Sequence, residues 1–428
     1  MYKVLVIAYY FPPMGLSGVQ RTLKFVKYMK NYNWEPTVVT AGNVAYFAHD
    51  QALAAEAKNA GIKIIRVGGK EPNSLLSKYS TIKPPRELVR KILSRISQTF
   101  FIPDNKISWS KKAVRKIKEL LRNENFDAIF VTAPPFSAFY HLRKLKKEFD
   151  IPIMADYRDL WYGSYFAFYP TPFHKVLHKR MEYLSLKAAE KIIVTNRKIK
   201  EKLIKTYKFL TFNDVVIIPH GFDHEDFENV LPDPKLNDKM IISYSGIFME
   251  YCTPKYFLHA FKDLTIERPD IVSKIQLNFI GYLGKENKAL IRKLNIEEFV
   301  KEFGYVDHKE SIKKIVSSDV LWLMAERKRN IDAILPGKLL EYMGSKKPII
   351  GCFPEGIAKI TLEEYGACFL TEPDNVEEIK NTIIKVFELY KKNELPVPDE
   401  NILQKYRRDA LAEQLTKQLQ FIAKKDVL

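Results

Sequence analysis

The stretch Lys3-Val4-Leu5-Val6-Ile7-Ala8-Tyr9-Tyr10-Phe11-Pro12-Pro13-Met14-Gly15-Leu16-Ser17-Gly18-Val19-Gln20-Arg21 decides the fold. Residues 3–9 form an apolar, β-branched run that reads as a buried strand. Gly15 and Gly18 then let the backbone turn and pass close to a ligand, and a helix beginning near Val19 offers free amides to an anion. Over residues 21–32, apolar Leu23, Val26 and Met29 recur at helical spacing. Strand, glycine turn and helix in this order open an α/β domain.

The same rhythm continues outward. Strands are expected at residues 37–40, 63–67, 128–132, 153–156 and 191–195. A second series follows at 240–245, 276–281, 300–303, 320–324, 348–351 and 367–370, with helices such as 254–264 and 337–343 between them. Alternation of this kind predicts parallel sheets covered on both faces. Residues 220–239 carry Pro232, Pro234, four Asp (Asp223, Asp226, Asp233, Asp238), Glu225 and Glu228 without periodicity, and read as a linker. The expected division is a domain over 1–220, joined by a C-terminal helix from about 404–428, and a second over 221–403. Two doubly wound, Rossmann-like domains would face a central cleft with the C-terminal ends of their strands, where open α/β sheets bind ligands.

Composition narrows the function. The 428 residues are 46% hydrophobic and 28% charged, a globular mix. Cys252, Cys352 and Cys368 are far apart with no C-x-x-C, so neither a disulfide framework nor a thiolate zinc site is expected. His174 and His178 stand one helical turn apart but lack an acidic partner for a metal. No apolar run approaches the roughly 20 residues a spanning helix needs. Residues 4–11 end in Pro12-Pro13 without a cleavage site, so they are a strand and not a leader, and the chain is expected to be cytoplasmic.

The net charge of +18 favours an anionic partner, and it is uneven. Residues 78–122 hold 13 Lys and Arg against Glu87, Asp104 and Glu119. Within them, residues 85–101 place Leu88, Ile92 and Ile96 on one helical face flanked by Arg86, Arg90 and Arg95. Residues 110–121 repeat the pattern with Val114, Ile117 and Leu121. The second helix is expected to face the core. The first suits an anionic membrane surface at the inner face of the cell membrane, and no recognition motif points to nucleic acid.

Two further segments carry chemistry. Asp156-Tyr157-Arg158-Asp159-Leu160-Trp161 follows a buried strand, where catalytic groups sit, and Asp156, Arg158 and Asp159 are the catalytic candidates. The plain alternative is an Arg–Asp pair that caps the next helix. Leu335-Pro336-Gly337-Lys338-Leu339-Leu340-Glu341-Tyr342-Met343 opens a helix whose first amides, with Lys338, suit phosphate. Glu341, one turn on, can accept two ribose hydroxyls.

These segments together resemble the retaining glycosyltransferases of the GT-B fold, family GT4, and among them the bacterial enzymes of polysaccharide and lipopolysaccharide synthesis. The resemblance rests on Tyr10-Phe11-Pro12-Pro13 with residues 15–21, Pro103-Asp104 with Trp109, Thr132-Ala133-Pro134-Pro135, residues 156–161, Ile218-Pro219-His220-Gly221-Phe222-Asp223, Ser245-Gly246 and residues 336–342. It covers roughly residues 1–385. It implies a nucleotide-sugar donor, a glycan or polyprenyl-diphosphate-linked acceptor, no metal or other cofactor, and a last helix returning to the first domain.

Carried over by position, the resemblance assigns donor binding to Gly15, Ser17, Gly18, Gly246, Lys255, Tyr305, Pro336, Gly337, Lys338 and Glu341. Glu341 matches the second Glu of the family's E-x7-E signature, while Ala333 stands where the first would be. Asp156 falls near a position where the family often has His. The family's Arg after the Ser-Gly turn is missing, and Lys338 or Arg327 is left to replace it. Two other readings stay open: an epimerase or hydrolase of nucleotide sugars, and a non-catalytic glycan- or membrane-binding relative.

Overall fold

In the computed structural model, residues 1–15, 17–42, 44, 46, 49–68, 87–164, 167–235, 238–248 and 252–423 are described. The chain divides at two crossings into one unit of Met1–His220 with the segment from Arg408 on, and another of Gly221–Arg407.

The first unit is built on a seven-stranded sheet in the order β3-β2-β1-β4-β5-β6-β7. Its strands are β1 (Tyr2–Ile7), β2 (Trp34–Ala41), β3 (Lys63–Val67), β4 (Ala128–Ala133), β5 (Ile153–Tyr157), β6 (Lys191–Val194) and β7 (Val215–Ile217). Every pairing is parallel. The order reverses between β1 and β4, and that switch point is where a doubly wound sheet opens a ligand crevice. Val4, Val6, Phe130, Leu23 and Val26 share one buried cluster with Leu411, Leu415 and Leu419 of the last helix. That helix is Arg408–Ala423, and Glu400–Gln404 is a separate short helix of the second unit. The return to the first unit therefore starts at Arg408 instead of about 404.

The second unit repeats the plan with six strands in the order β10-β9-β8-β11-β12-β13. They are β8 (Met240–Ser245), β9 (Ile275–Ile280), β10 (Val300–Gly304), β11 (Val320–Met324), β12 (Ile349–Cys352) and β13 (Cys368–Thr371), again all parallel. Trp322 on β11 lies in its core, stacked on Phe257 with ring centroids 4.1 Å apart. The acidic stretch after His220 is no loose linker. Asp233 is held by Lys313 and Lys314 at 2.7 and 2.6 Å, and Lys235 by Asp319 at 2.8 Å. Phe222 and Phe227 fill the space over Gly344, where a Cβ would meet their rings at 2.7 and 2.6 Å.

The two basic helices part company in three dimensions. Ile107–Asn123 turns Val114, Ile117 and Leu120 into the core, Leu120 taking the place expected for half-buried Leu121. Glu87–Phe100 is inverted: Ser94, Ser97, Gln98 and Thr99 are half-buried, while Val89, Ile92, Leu93 and Ile96 are exposed. Pro85 and Arg86, expected in this helix, and the side chain of Leu88 lie outside the described residues. Among the described residues, no helix is long and apolar enough to cross a membrane.

Candidate active site

At the switch point of the first unit, the end of β5 carries Asp156 and Arg158. Asp156 is almost wholly buried and its carboxylate is closed in on both sides. Arg21, on the helix Ser17–Met29, donates from Nη2 to Oδ1 at 2.8 Å and from Nε to Oδ2 at 3.2 Å. Thr132, on β4, donates its hydroxyl to Oδ2 at 2.8 Å. Arg21 is itself completed by the carbonyls of Ile218 (3.0 Å) and Pro219 (2.6 Å).

Arg158 is committed as well. Its Nη1 donates to Gly18 O at 2.6 Å, Nη2 to Pro134 O at 2.6 Å and Nε to Ala133 O at 3.2 Å. One guanidinium thus ties together the turns after β1 and β4 from its own place after β5. Burial lowers its pKa, against the opposing pull of Asp156 and Asp159. Gly18 stands in the first turn of the helix, which begins at Ser17. Gly15 is buried in the preceding turn, and half-buried Asp159 follows Arg158. Nothing is described of the side chain of Ser17.

The motifs that carry the resemblance converge here. Asp104 accepts from the amides of Lys106 at 2.9 Å and Ser137 at 2.8 Å, which fastens its loop to the turn after β4. Trp109 is fully buried, edge-on to Tyr9 with centroids 5.1 Å apart. The Tyr10 phenol is pushed well above its usual range by burial, then by Tyr46 and Asp104, and burial pushes the Tyr46 phenol up to about 12. Both remain hydroxyl donors at any ordinary pH.

In the sequence His220 stands only at the head of the expected linker and within the residues 218–223 that carry the resemblance. Burial, then Arg21, Arg158 and Arg408, hold its imidazole well below the usual histidine range, so it stays neutral beside three fixed cations. Those arginines come from positions 21, 158 and 408, and no local pattern announces their meeting.

In the second unit the switch point lies between β8 and β11. Gly246 follows β8 at φ 144°, and Gly281 follows β9 at φ 122°. A Cβ on Gly281 would lie 2.3 Å from Gly246 O, so the turn admits only glycine there. Gly281 N donates to Gly304 O at 2.7 Å, which carries this arrangement to the exposed Tyr305.

The helix Gly337–Gly344, entered through Pro336, leaves β11 and brings Lys338 back to β8. Lys338 Nζ donates to Glu341 Oε2 at 3.2 Å and reaches Ser245 Oγ at 3.5 Å. Ser245 N donates to the Tyr342 hydroxyl at 2.6 Å, fixing the helix on the strand end. The first amides of such a helix lack intrahelical partners and carry the positive end of its dipole.

Lys255 begins the helix Lys255–Glu267 and is exposed. The preceding Thr253 lies against Met324 at the end of β11, its amide 3.1 Å from the sulfur. Arg327 is unsuited to stand in for the missing family Arg, because Glu372 and Asp374 hold its guanidinium at the surface. Lys338 is the cation that meets Glu341 and Ser245. Among the described residues, no cluster of three or more His, Cys, Asp or Glu is placed to hold a metal.

The fold has solved counterparts. A glycosyltransferase from Rickettsia africae is 15% identical with a TM-score of 0.67, over 99% of either chain. Anabaena HepE in complex with UDP is 14% identical with a TM-score of 0.63, over 98% of this chain and all of that one. WaaG, a glycosyltransferase involved in lipopolysaccharide biosynthesis, is 12% identical with a TM-score of 0.58, over 98% and 99%. These likenesses define the class as GT-B. The model described as Glycosyltransferase Family 4 matches residues 18–226, and that described as Glycosyl transferases group 1 matches residues 226–397. The chain is a GT4-like glycosyltransferase. No curated protein matches it.

Proposed function

We propose that the chain moves a sugar from a nucleotide-sugar donor to a glycan or polyprenyl-diphosphate-linked acceptor in cell-surface polysaccharide synthesis, with retention at the anomeric carbon and without a metal ion. The observation that carries this reading is the group at the second switch point: helix amides at Gly337, the Lys338 side chain beside Gly246, and buried Glu341 bonded to that lysine.

Charge develops on the departing diphosphate in the transition state. Preorganised amides and an ammonium stabilise it there without reorganising, an effect typically worth about 2.7–4 kcal/mol per lost donor. Glu341 receives the ribose hydroxyls. Gly246, Lys255, Tyr305 and Pro336 complete the second unit's donor set, and Gly15, Ser17 and Gly18 are the first unit's candidates for contact with donor phosphate and acceptor. Asp156 and Arg158 act by positioning, since their bonds already go to Arg21, Thr132 and backbone carbonyls. Asp159 is the remaining ionisable group of that turn. The UDP complex of HepE and the pathway of WaaG support the donor class and the envelope-glycan acceptor.

The same reading places the enzyme at the inner face of an anionic membrane through the helix Glu87–Phe100. Its outward apolar row and its cations Arg90, Lys91 and Arg95 support this.

The test is a thermal-shift screen against UDP, GDP, ADP and their sugars in the presence of a chelator. A ligand at a hundred times its Kd adds about 2.7 kcal/mol, ample to see. A shift with one base names the donor, and acceptor-dependent release of that nucleotide separates a transferase from an epimerase or hydrolase. No shift at millimolar ligand overturns the reading.

A further inference from the structure

One cavity of the first unit has no part in that chemistry. It lies between the helix Pro172–Leu186 and the turn that ends the helix Arg197–Thr206, and holds about 540 Å³. Half-buried Tyr183 and Phe209 give it an apolar floor, edge-on to each other at 5.0 Å, and exposed Val176 lies at its mouth. Lys179, Arg180 and Lys208 form its rim. All three are exposed, and among the described residues none of them pairs with a carboxylate. The only carboxylate on the same helix, Glu182, is buried, and burial pushes its pKa up to about 8, so it offsets little of their charge.

The surrounding chain strengthens the point. Over residues 172–208, 11 Lys and Arg stand against Glu182, Glu190 and Glu201, an excess of eight. With the excess of ten over residues 78–122, the two stretches carry the whole net charge of +18. They also touch. Thr99 O is 3.1 Å from His174 Nε2, and just ahead of the second stretch Phe168 N donates to Gln98 Oε1 at 2.7 Å with the Arg95 guanidinium 5.5 Å from its ring centroid. Next to that junction, Phe173 and Val176 are exposed on one helix as Ile96 and Phe100 are on the other. Apolar surface and basic side chains therefore run from the inverted helix to the mouth of the cavity.

We propose that this cavity takes the phosphodiester headgroup of an anionic bilayer lipid. The phosphate meets Lys179, Arg180 and Lys208, and the glycerol and first methylenes lie on Tyr183 and Phe209. The inference rests on the membrane reading above and adds a lipid site to it.

The test compares the wild-type chain with Arg180→Gln/Lys208→Gln and, separately, Ile92→Ser/Leu93→Ser. Two measurements are made: calorimetric titration with dihexanoyl-phosphatidylglycerol below its micelle concentration, and flotation with phosphatidylcholine vesicles with and without phosphatidylglycerol. The rim variant, with an unchanged melting temperature, is expected to lose roughly 30-fold in both, as two surface charges imply. A rim variant that binds short-chain lipid and vesicles like wild type, while the Ile92/Leu93 variant no longer floats, overturns the cavity and leaves the membrane helix standing. A wild-type chain that ignores anionic vesicles overturns both.

Discussion

Asp156 and Glu341 look alike on paper. Each is a nearly buried carboxylate, 1% and 4% exposed, beside a cation at the switch point of its own sheet. Asp156 has both oxygens taken by Arg21 and Thr132, and Arg21 is closed in turn by two carbonyls. Glu341 meets a lysine whose side chain is 31% exposed, at 3.2 Å, and that lysine reaches Ser245 only at 3.5 Å. The first cluster is a brace. The second has donor capacity left for an incoming anion. The difference between the two lies in how completely the fold has already used the cation beside each carboxylate.

The comparison breaks most readily at Arg21. Arg21→Ala strands the Asp156 carboxylate in the interior and should cost about 3–5 kcal/mol in urea unfolding. A loss of only about 1 kcal/mol, as at an exposed pair, would erase the distinction. Lys338→Ala should lower turnover about 10²–10³-fold with a melting temperature near wild type. A variant that unfolds early would make Lys338 a second brace. Glu341→Ala should raise the nucleotide Kd roughly 10–100-fold, the range of a lost hydrogen bond to a charged group. Unchanged affinity by calorimetry removes Glu341 from the donor site.

The smallest effect concerns a buried carboxylate with no cation bonded to it among the described residues. Glu182 is bonded by the Tyr207 hydroxyl and the amide of Tyr162. Its pKa rises from 4.5 to about 8, chiefly through burial. The folded chain therefore keeps a proton that the unfolded chain releases, and the stability this group gives below pH 4.5 is lost as pH climbs to about 8. Glu182→Gln should flatten that decline in a series of denaturation curves. An unaltered slope would show that Glu182 ionises like an exposed residue.

The sheets were legible because β-branched runs and helical spacing are local signals. β3, β8 and β11 begin and end where the pattern places them. The three-residue strand β7, too short for a period, went unseen. The glycine turns and the Gly337–Glu341 segment were also legible, since each is one short stretch near one strand end. The occupancy of Asp156 was not, for its partners stand at positions 21 and 132 and their own partners at 218 and 219. The same holds for His220. The basic excess of residues 172–208 escaped notice because it is diluted among aliphatic residues on two helices, and only the fold gathers three of its cations around one cavity. The stretch after His220 misled through composition: its carboxylates looked solvated, yet Asp233 serves Lys313 and Lys314.

The last helix has a consequence for the chain as it leaves the ribosome. The second unit is one uninterrupted stretch, Gly221–Arg407, whereas the first waits for the segment from Arg408 on. Leu411, Ala412, Leu415, Leu419 and Ile422 complete the first unit's core. The order of synthesis and the order of completion are thus reversed. The half begun first keeps an apolar face uncovered until the final turns emerge, and the half begun second can close before it. A stop codon just before Arg408 would spare every described strand and every proposed donor-site residue, yet take Arg408 from beside His220 and leave the older half unfinished.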